Sequence, residues 1–272
     1  MRNPSARPDG RGDLTVSFQA AGAALDLEPG HNAWLLIGNS RWHWAVGHSS
    51  GGLSCWSSPP PSPGGAIPLA LLSRLRAWAA VGPVPEGAGL DPSRRLHTGA
   101  VPLAGLPDWI GVDRALVAWR AWRLGRTAAL VADAGTALSL TRVNRDGVFA
   151  GGRIQAGRAL QLRSLAEATS QLPWSTSAVE PGAAAVGVPW PSATAEAMEQ
   201  GVRLGMAAAV QAAWQDLRLS DPECRLWVTG GDGTWLAPAL GVACQPDLAL
   251  AALAALSSGP DRQGSCQPLS PP

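Results

Sequence analysis

The sequence predicts an α/β protein built from two related halves, and two observations carry this prediction. Short apolar runs that end in polar glycine turns alternate with amphipathic segments of helical length, as in layers of strands and helices. The same turn also occurs twice, because Leu35–Ser40 and Ala132–Ala137 align with Gly38 on Gly135, 97 positions apart (135 − 38). That separation suits a small α/β unit, so we expect two copies facing a shared cleft.

The composition indicates a globular protein and excludes several kinds of enzyme. The 272 residues are 46% hydrophobic and 15% charged, which is enough apolar material for a buried core. Lysine is absent, so a P-loop lysine, a Schiff-base lysine and the strand lysine of protein kinases cannot occur. Phosphate chemistry would therefore need backbone N–H groups, arginine and metal. A net charge of +1 gives no reason to expect nucleic acid or a membrane surface as partner.

The cysteines and the apolar segments indicate a cytoplasmic protein. The four cysteines are scattered and form no C-x-x-C pair, which favours reduced thiols over a zinc site or a disulfide framework. No segment has the form of a signal peptide, and none offers about 20 apolar residues to span a bilayer. We expect a flexible extension, an N-terminal subdomain, a C-terminal subdomain and a disordered tail, at residues 1–30, 31–125, 126–256 and 257–272.

The first half begins with a strand, a polar turn and a second strand. Ala33–Ile37 is an apolar run that stops at Gly38, and alternation resumes from Trp42 to Val46. A proline-rich loop is predicted next, and the apolar spacing then predicts a helix, a short strand and a second helix. These elements are a loop over residues 57–65, a helix over 69–78, a strand over 79–81 and a helix over 112–124.

The second half repeats the strand, turn and strand and then adds helices. Its elements are predicted strands over 128–132, 138–143 and from 148, helices over 158–172 and 194–219, a strand over 225–228, a helix over 235–240, a strand over 242–244 and a helix over 247–256. The corner at Asp133, Gly135 and Thr136 draws attention because it combines close backbone approach with a carboxylate and a hydroxyl. Such a corner fits a phosphate or its cation, although an ordinary hairpin turn has the same residue types.

The ordered motifs resemble those of type III pantothenate kinases, members of the acetate/sugar kinase, heat-shock and actin superfamily. The resemblance runs from about residue 33 to 253 and implies two duplicated ribonuclease-H-like (actin-like ATPase) subdomains with mixed sheets flanked by helices. The matching segments are Gly38-Asn39-Ser40-Arg41, Gly111-Val112-Asp113-Arg114, Asp133-Ala134-Gly135-Thr136-Ala137, Gly151-Gly152-Arg153-Ile154 with Gly157, Thr194 before Ala197-Met198, and Thr229-Gly230-Gly231-Asp232.

The resemblance implies a kinase that transfers the ATP γ-phosphate to the primary hydroxyl of pantothenate, the first step toward coenzyme A, in a homodimer. Asp113 would be the general base, and Arg114 would pair with the carboxylate of pantothenate. The implied pantothenate site comprises Gly111, Val112, Asp113, Arg114 and Thr194. Because Asp113 lies at a predicted helix N-terminus, we expect its ionised form to be favoured; a capping role alone is the alternative.

The same resemblance implies an ATP site with Mg²⁺ and a monovalent cation, K⁺ or NH₄⁺. Asp133 would bind the monovalent cation. The implied ATP-binding residues are Leu36, Ile37, Gly38, Asn39, Ser40, Arg41, Trp42 and His43 of the first turn, with Thr136 of the second. Leu36 departs from the family pattern, which has aspartate there, and leucine cannot coordinate a cation.

Two alternatives follow from this departure and from the breadth of the superfamily. The protein could be a catalytically weak or inactive relative that acts as a regulatory or accessory binding protein, and Leu36 favours this reading. It could also be a kinase of the same fold that phosphorylates another hydroxylated acceptor. Nucleotide binding without transfer distinguishes the first alternative, and an acceptor screen distinguishes the second.

Overall fold

The computed structural model describes residues 18–20, 23–25, 30–49, 51–62, 66–173 and 189–258. Its strands are β1 Phe18–Ala20, β2 Ala23–Leu25, β3 Ala33–Ile37, β4 Trp42–Gly47, β5 Leu53–Ser58, β6 Leu75–Ala80, β7 Ala129–Ala134, β8 Ala137–Val143, β9 Phe149–Ala156 and β10 Arg225–Thr229. Its α-helices are α1 Leu69–Leu72, α2 Val112–Gly125, α3 Arg158–Ala168, α4 Thr194–Ser220, α5 Gly233–Ala239 and α6 Leu248–Ser257. Short 3-10 helices cover Pro92–Arg94 and Thr98–Ala100.

Two four-stranded mixed sheets have the same strand order, which confirms the predicted duplication. The first sheet runs β5-β4-β3-β6, and the second runs β9-β8-β7-β10. In each sheet the leading strand, β3 or β7, pairs antiparallel with the next strand and parallel with the last one. The glycine turns at Gly38 and Gly135 therefore follow the C-terminal ends of equivalent interior strands of the two sheets.

Helix α2 packs between the two sheets and joins their cores. Its Leu116 belongs to the buried cluster that contains Leu36 of β3, whereas its Val117 belongs to the cluster that contains Val131 of β7. Alternating residues of β3 face two different cores, since Ala33, Leu35 and Ile37 pack with Trp42 on the side opposite to Leu36. All of β3 is buried, as expected for a strand covered on both faces.

The sequence prediction was wrong about the region after the proline-rich loop. Instead of a helix over 69–78, the chain forms the single turn α1 and then β6. The apolar spacing fits both structures, and burial of β6 between two cores decides for the strand. Strand β5, an edge strand of half-buried residues, was not predicted.

Smaller differences concern the ends of elements. Helix α3 ends at Ala168 instead of 172, and α5 begins at Gly233 instead of 235. The strand predicted over 242–244 is reduced to one bridge between Cys244 and Val228. Within the predicted extension, β1 and β2 form an antiparallel pair. Most of that extension and most of the predicted tail lie outside the described residues.

Among the residues that the structure describes, no helix is long and apolar enough to cross a membrane.

Candidate functional site

The two glycine turns meet across a cleft between the halves. The hydroxyl groups of Ser40 and Thr136 lie 2.8 Å apart and share a hydrogen bond, although 96 positions separate them in the chain. Both side chains are exposed, so this edge is open to solvent and to ligands. The structure thus brings together the two segments that the sequence predicted to share one nucleotide.

Glycines of other segments pack directly on these turns. A side chain at Gly82, which follows β6, would overlap the Gly38 carbonyl oxygen. At the second turn, side chains at Gly157 and Gly230 would overlap the carbonyl oxygens of Gly135 and Ala134. Close backbone packing therefore fixes both turns, whereas a Cβ at Gly135 itself would meet no atom within 4 Å. The open space beside Gly135 is available to a ligand.

Asp113 lies in the first turn of α2, and its carboxylate is half-buried. The backbone N–H of Arg114 donates to Asp113 Oδ1 at 2.7 Å, which stabilises the ionised form. Burial is nevertheless the larger effect, so the pKa of Asp113 is raised above its ordinary value. The sequence expectation considered only the helix terminus, and burial outweighs that effect on the pKa of Asp113.

Asp133, near the end of β7, is the second half-buried carboxylate of the cleft. Burial and, to a smaller extent, the negative charge of Asp113 together raise the pKa of Asp133 to about 7. The equivalent position in the first half is Leu36, which is buried in the apolar cluster that also contains Val112. The two halves therefore differ at this strand position, where the second half has an acid and the first has leucine.

Arg114 points into the second half of the molecule and is only 8% exposed. Its Nε donates to Oγ1 of Thr141 on β8 at 3.2 Å. Burial lowers the pKa of the Arg114 guanidinium, and the charge of Asp113 opposes that shift. Val112 beside it is buried, and Gly111 provides the extended residue before the helix.

The remaining predicted residues of the first turn differ in exposure. Ile37 and Trp42 are buried, whereas Asn39 and Arg41 are exposed, and Arg41 donates to the carbonyl oxygen of Ser57 at 2.9 Å. His43 Nδ1 shares a hydrogen bond with Ser57 Oγ at 2.8 Å. Burial and the nearby Arg41 lower the pKa of His43, which favours neutral imidazole. Only part of this segment thus presents side chains to the cleft.

Thr194 is the first residue of α4 and has an exposed side chain. Across the described ranges, no hydrogen bond connects Thr194 to Gly111–Arg114.

A cavity beside the start of α2 contains residues that the sequence reasoning missed. It has a volume of about 210 Å³, and Arg95, His97 and Thr98 line it together with Gly111 and Val112. A neighbouring cavity of about 250 Å³ shares His97 and Thr98. The lining segment looked irregular in sequence, and no periodicity marked it. The adjacent pair Arg94-Arg95 was the one signal that could have indicated an anion site.

Charged groups also surround the loop after β10. Arg158 of α3 donates to Glu199 of α4 at 2.6 Å, and Trp235 Nε1 donates to Asp232 at 3.0 Å. The guanidinium of Arg203 lies over the Trp235 ring, 4.8 Å from its centroid. These contacts tie α3, α4 and α5 together beside the Gly230 turn.

Two mixed sheets of one strand order, with glycine turns that meet across a cleft, give a duplicated ribonuclease-H-like (actin-like) fold. A solved structure described as a Baf family transcriptional activator from Campylobacter jejuni shares this fold. Its TM-score is 0.53 at 16% identity, and the match covers 82% of this chain and 96% of that one.

Comparison with sequence families gives the narrower assignment. The family model for type III pantothenate kinase matches residues 94–216. The type III pantothenate kinase of Synechococcus elongatus is 35% identical over 219 residues, which cover 76% of this chain and 86% of the relative. The type III pantothenate kinase of a Synechocystis species is 30% identical over 266 residues, which cover 90% of this chain and 98% of the relative. The chain belongs to the type III pantothenate kinase family, which confirms the resemblance read from its motifs.

Proposed function

We propose that the protein is a pantothenate kinase that transfers the γ-phosphate of ATP to the primary hydroxyl of pantothenate and yields 4'-phosphopantothenate. One observation carries the proposal beyond family membership: a half-buried carboxylate, Asp113, begins a helix at the cleft where the two glycine turns meet. This is the arrangement that phosphoryl transfer to an alcohol requires, with a proton acceptor beside a phosphate-binding cleft.

Asp113 acts as the general base. Its carboxylate accepts the proton of the pantothenate hydroxyl as that oxygen attacks the γ-phosphorus. The new oxygen–phosphorus bond forms while the bond from the γ-phosphorus to the β–γ bridging oxygen breaks, and ADP leaves. The raised pKa of Asp113 makes it a stronger proton acceptor than an exposed aspartate while it remains ionised.

The acceptor site is built by Gly111–Arg114 and the cavity that adjoins it. The cavity of about 210 Å³ opens beside Gly111, next to the base, and Arg95 and His97 give it basic character. Arg114 meets the carboxylate of pantothenate with its terminal N–H groups, since a guanidinium forms paired hydrogen bonds to a carboxylate. Thr194 contacts the same substrate from the start of α4.

The ATP site is formed by residues 36–43 and Thr136. The buried members of this segment, including Leu36, contribute through backbone position, while Asn39, Ser40 and Thr136 are the exposed polar groups nearest the cleft. Mg²⁺ accompanies ATP and neutralises charge that develops on the phosphates. The triphosphate and water would supply most of the Mg²⁺ ligands, since Mg²⁺ usually keeps several waters and binds through substrate phosphates. Within the described segments, no cluster of three acidic, histidine or cysteine side chains suited to a metal occurs.

Asp133 fits a monovalent cation, K⁺ or NH₄⁺. Its carboxylate is half-buried beside a second carboxylate, and its pKa is raised to about 7, so a bound cation would favour the ionised form. Asp133 would hold the ion, which supplies positive charge near the phosphates. We further propose a homodimer acting in the cytoplasm, where ATP is available. A monomeric mass in analytical ultracentrifugation at micromolar concentration would contradict the dimer.

A coupled ADP-release assay with Mg²⁺ and K⁺ tests the function. We expect turnover with pantothenate, and much weaker turnover with sugars and short hydroxy acids. Preference for another acceptor would replace the substrate assignment. ATP binding by calorimetry without transfer to any acceptor would instead support the non-catalytic binding protein that Leu36 keeps open.

A further inference from the structure

A buried hydroxyl lies beneath the first turn of α2. Thr141 on β8 is 0% exposed, and its Oγ1 accepts the hydrogen bond from Arg114 Nε at 3.2 Å. Val131 lies directly opposite Thr141 in the β7–β8 pair and packs in one cluster with Val117 of α2. Opposite residues share a face of the sheet, so Thr141 belongs to the face that α2 covers.

The other neighbour of Thr141 leaves room for the guanidinium. Gly152 on β9 pairs with Thr141, and a Cβ at Gly152 would lie 2.5 Å from an Nη atom of Arg114. Such a Cβ would also overlap the Leu140 carbonyl oxygen, so the strand carries no side chain where the guanidinium lies. Arg114 is thus enclosed by a hydroxyl on one strand and a bare backbone on the next.

We propose that Thr141 is a positioning residue that fixes the plane of the Arg114 guanidinium for an acceptor carboxylate. Within the described part of the chain, the guanidinium's recorded hydrogen bond runs through Nε alone. The two Nη groups therefore keep their N–H donors for a carboxylate. The hydrogen bond from Nε restricts the orientation of the guanidinium plane. The inference rests on the proposed function, in which Arg114 binds the carboxylate of pantothenate.

Replacing Thr141 separates this role from packing. Thr141→Val keeps the shape but removes the hydroxyl, which leaves Arg114 Nε buried without its partner. We expect the KM for pantothenate to rise about 10- to 100-fold, since loss of a buried hydrogen-bond partner has effects of that size. The kcat and the KM for ATP should change less than about 3-fold. Thr141→Ser keeps the hydroxyl and should restore the KM for pantothenate to near the wild-type value.

A matched control removes a hydrogen bond of similar type far from Arg114. Ser257 of α6 accepts from Trp34 Nε1 at 2.6 Å, so Ser257→Ala loses a contact between elements without touching the acceptor site. It should leave the KM for pantothenate unchanged. If Thr141→Val does not fold, a double-mutant cycle with Thr141→Ala and Arg114→Met replaces it, and the effect of the alanine substitution on the KM for pantothenate should vanish in the methionine background.

The possible results separate failure of the positioning role from failure of the proposed kinase function. An active wild-type protein whose Thr141→Val variant keeps its KM for pantothenate, or whose Thr141→Ser variant is no better than the valine variant, overturns the positioning role alone. A wild-type protein that neither binds nor phosphorylates pantothenate overturns both. A selective, serine-rescued rise in the KM for pantothenate supports the positioning role.

Discussion

At the residue scale, the cleft contains two carboxyl groups whose pKa values are raised by burial. Asp113 begins α2 and Asp133 lies near the end of β7, and the pKa of each is raised chiefly by burial. Backbone N–H donation from Arg114 opposes this at Asp113, while Asp133 also experiences the charge of Asp113. The same desolvation that would make Asp113 a stronger base favours the protonated form of Asp133, and a bound cation would oppose that effect at Asp133.

The titration of Asp133 predicts how stability depends on pH. The folded pKa of about 7 exceeds the ordinary value of 3.8, so the folded protein binds the proton more tightly than the unfolded chain. The free energy of unfolding should therefore fall as pH rises from about 4 to about 7. If Asp133 holds potassium as proposed, potassium should flatten this fall, because it would bind the ionised form. Differential scanning calorimetry in potassium chloride and in tetramethylammonium chloride measures both effects.

The control is Asp133→Asn, which removes the titrating group. This variant should show a shallower decline between pH 4 and 7 and no difference between the two salts. A variant that retains the wild-type pH slope and the potassium effect would mean that Asp133 is not the cation site.

Leu36 allows a direct test of the difference between the two halves. Leu36 is 6% exposed and belongs to an apolar cluster with Ala79 and Val112. Leu36→Asp should destabilise the protein more than Leu36→Ala, because it adds a buried charge to the loss of packing. The alanine variant alone should lose about 2–5 kcal/mol in urea unfolding. A Leu36→Asp variant that keeps wild-type stability and gains kcat with Mg²⁺ would identify the position as a vacant metal-binding position instead of core.

At the scale of the elements, the backbone packing of the second turn predicts that substitutions at Gly135 and Gly157 have different effects on ATP binding and stability. A Cβ at Gly135 meets no atom within 4 Å, so Gly135→Ala should keep the melting temperature. It should weaken ATP binding about 10-fold or more if phosphate occupies that space. Gly157→Ala should instead destabilise the fold, since its Cβ overlaps the Gly135 carbonyl oxygen. Calorimetric titration with ATP and thermal melts separate the two effects.

Gly205→Ala is the matched control, because Gly205 lies on α4 and also has open space around it. It should leave ATP binding unchanged. Equal ATP affinity in the wild type, Gly135→Ala and Gly205→Ala would exclude close contact between the phosphates and the second turn.

Elements with one dominant pattern could be predicted from the sequence. Strand β3 is a five-residue apolar run closed by a glycine turn, and α2 has one apolar face, so both were predicted at nearly the observed bounds. The segment 69–80 could not be resolved, because its spacing fits a helix and burial on both faces selects β6. Strand β5 gave little signal, since it is a half-buried edge strand beside prolines.

The site was predictable where a motif lies on a turn and not where it depends on packing. The two glycine turns could be selected from local chemistry and their order in the chain, whereas the role of Asp113 was implied by the resemblance and stays a prediction. The contact between Ser40 and Thr136 follows once the halves are duplicated. Arg95 and His97 enter the cavity only through tertiary packing, and the direction of the Asp113 pKa shift depends on burial that no local pattern specifies.

At the scale of the whole molecule, the two halves share one fold but differ in the residues at their glycine turns. In each half, the first strand of the repeat, β3 or β7, is followed by a glycine turn at the corresponding end of a sheet with the same strand order. The halves differ where the first has Leu36 in an apolar core and the second has Asp133 in the cleft. Helix α2 packs on both sheets and brings Asp113 to the boundary, so the proposed base lies between the two halves.

The central claim is that Asp113 accepts the proton of pantothenate during phosphoryl transfer. Rapid-quench single-turnover measurement of 4'-phosphopantothenate, with saturating ATP, Mg²⁺ and K⁺, tests this most directly by comparing the wild type with Asp113→Asn. Loss of the base should slow the transfer step about 10²- to 10⁴-fold, while calorimetry still detects ATP binding. Transfer by Asp113→Asn at the wild-type rate, or no transfer by the wild type, would contradict the account.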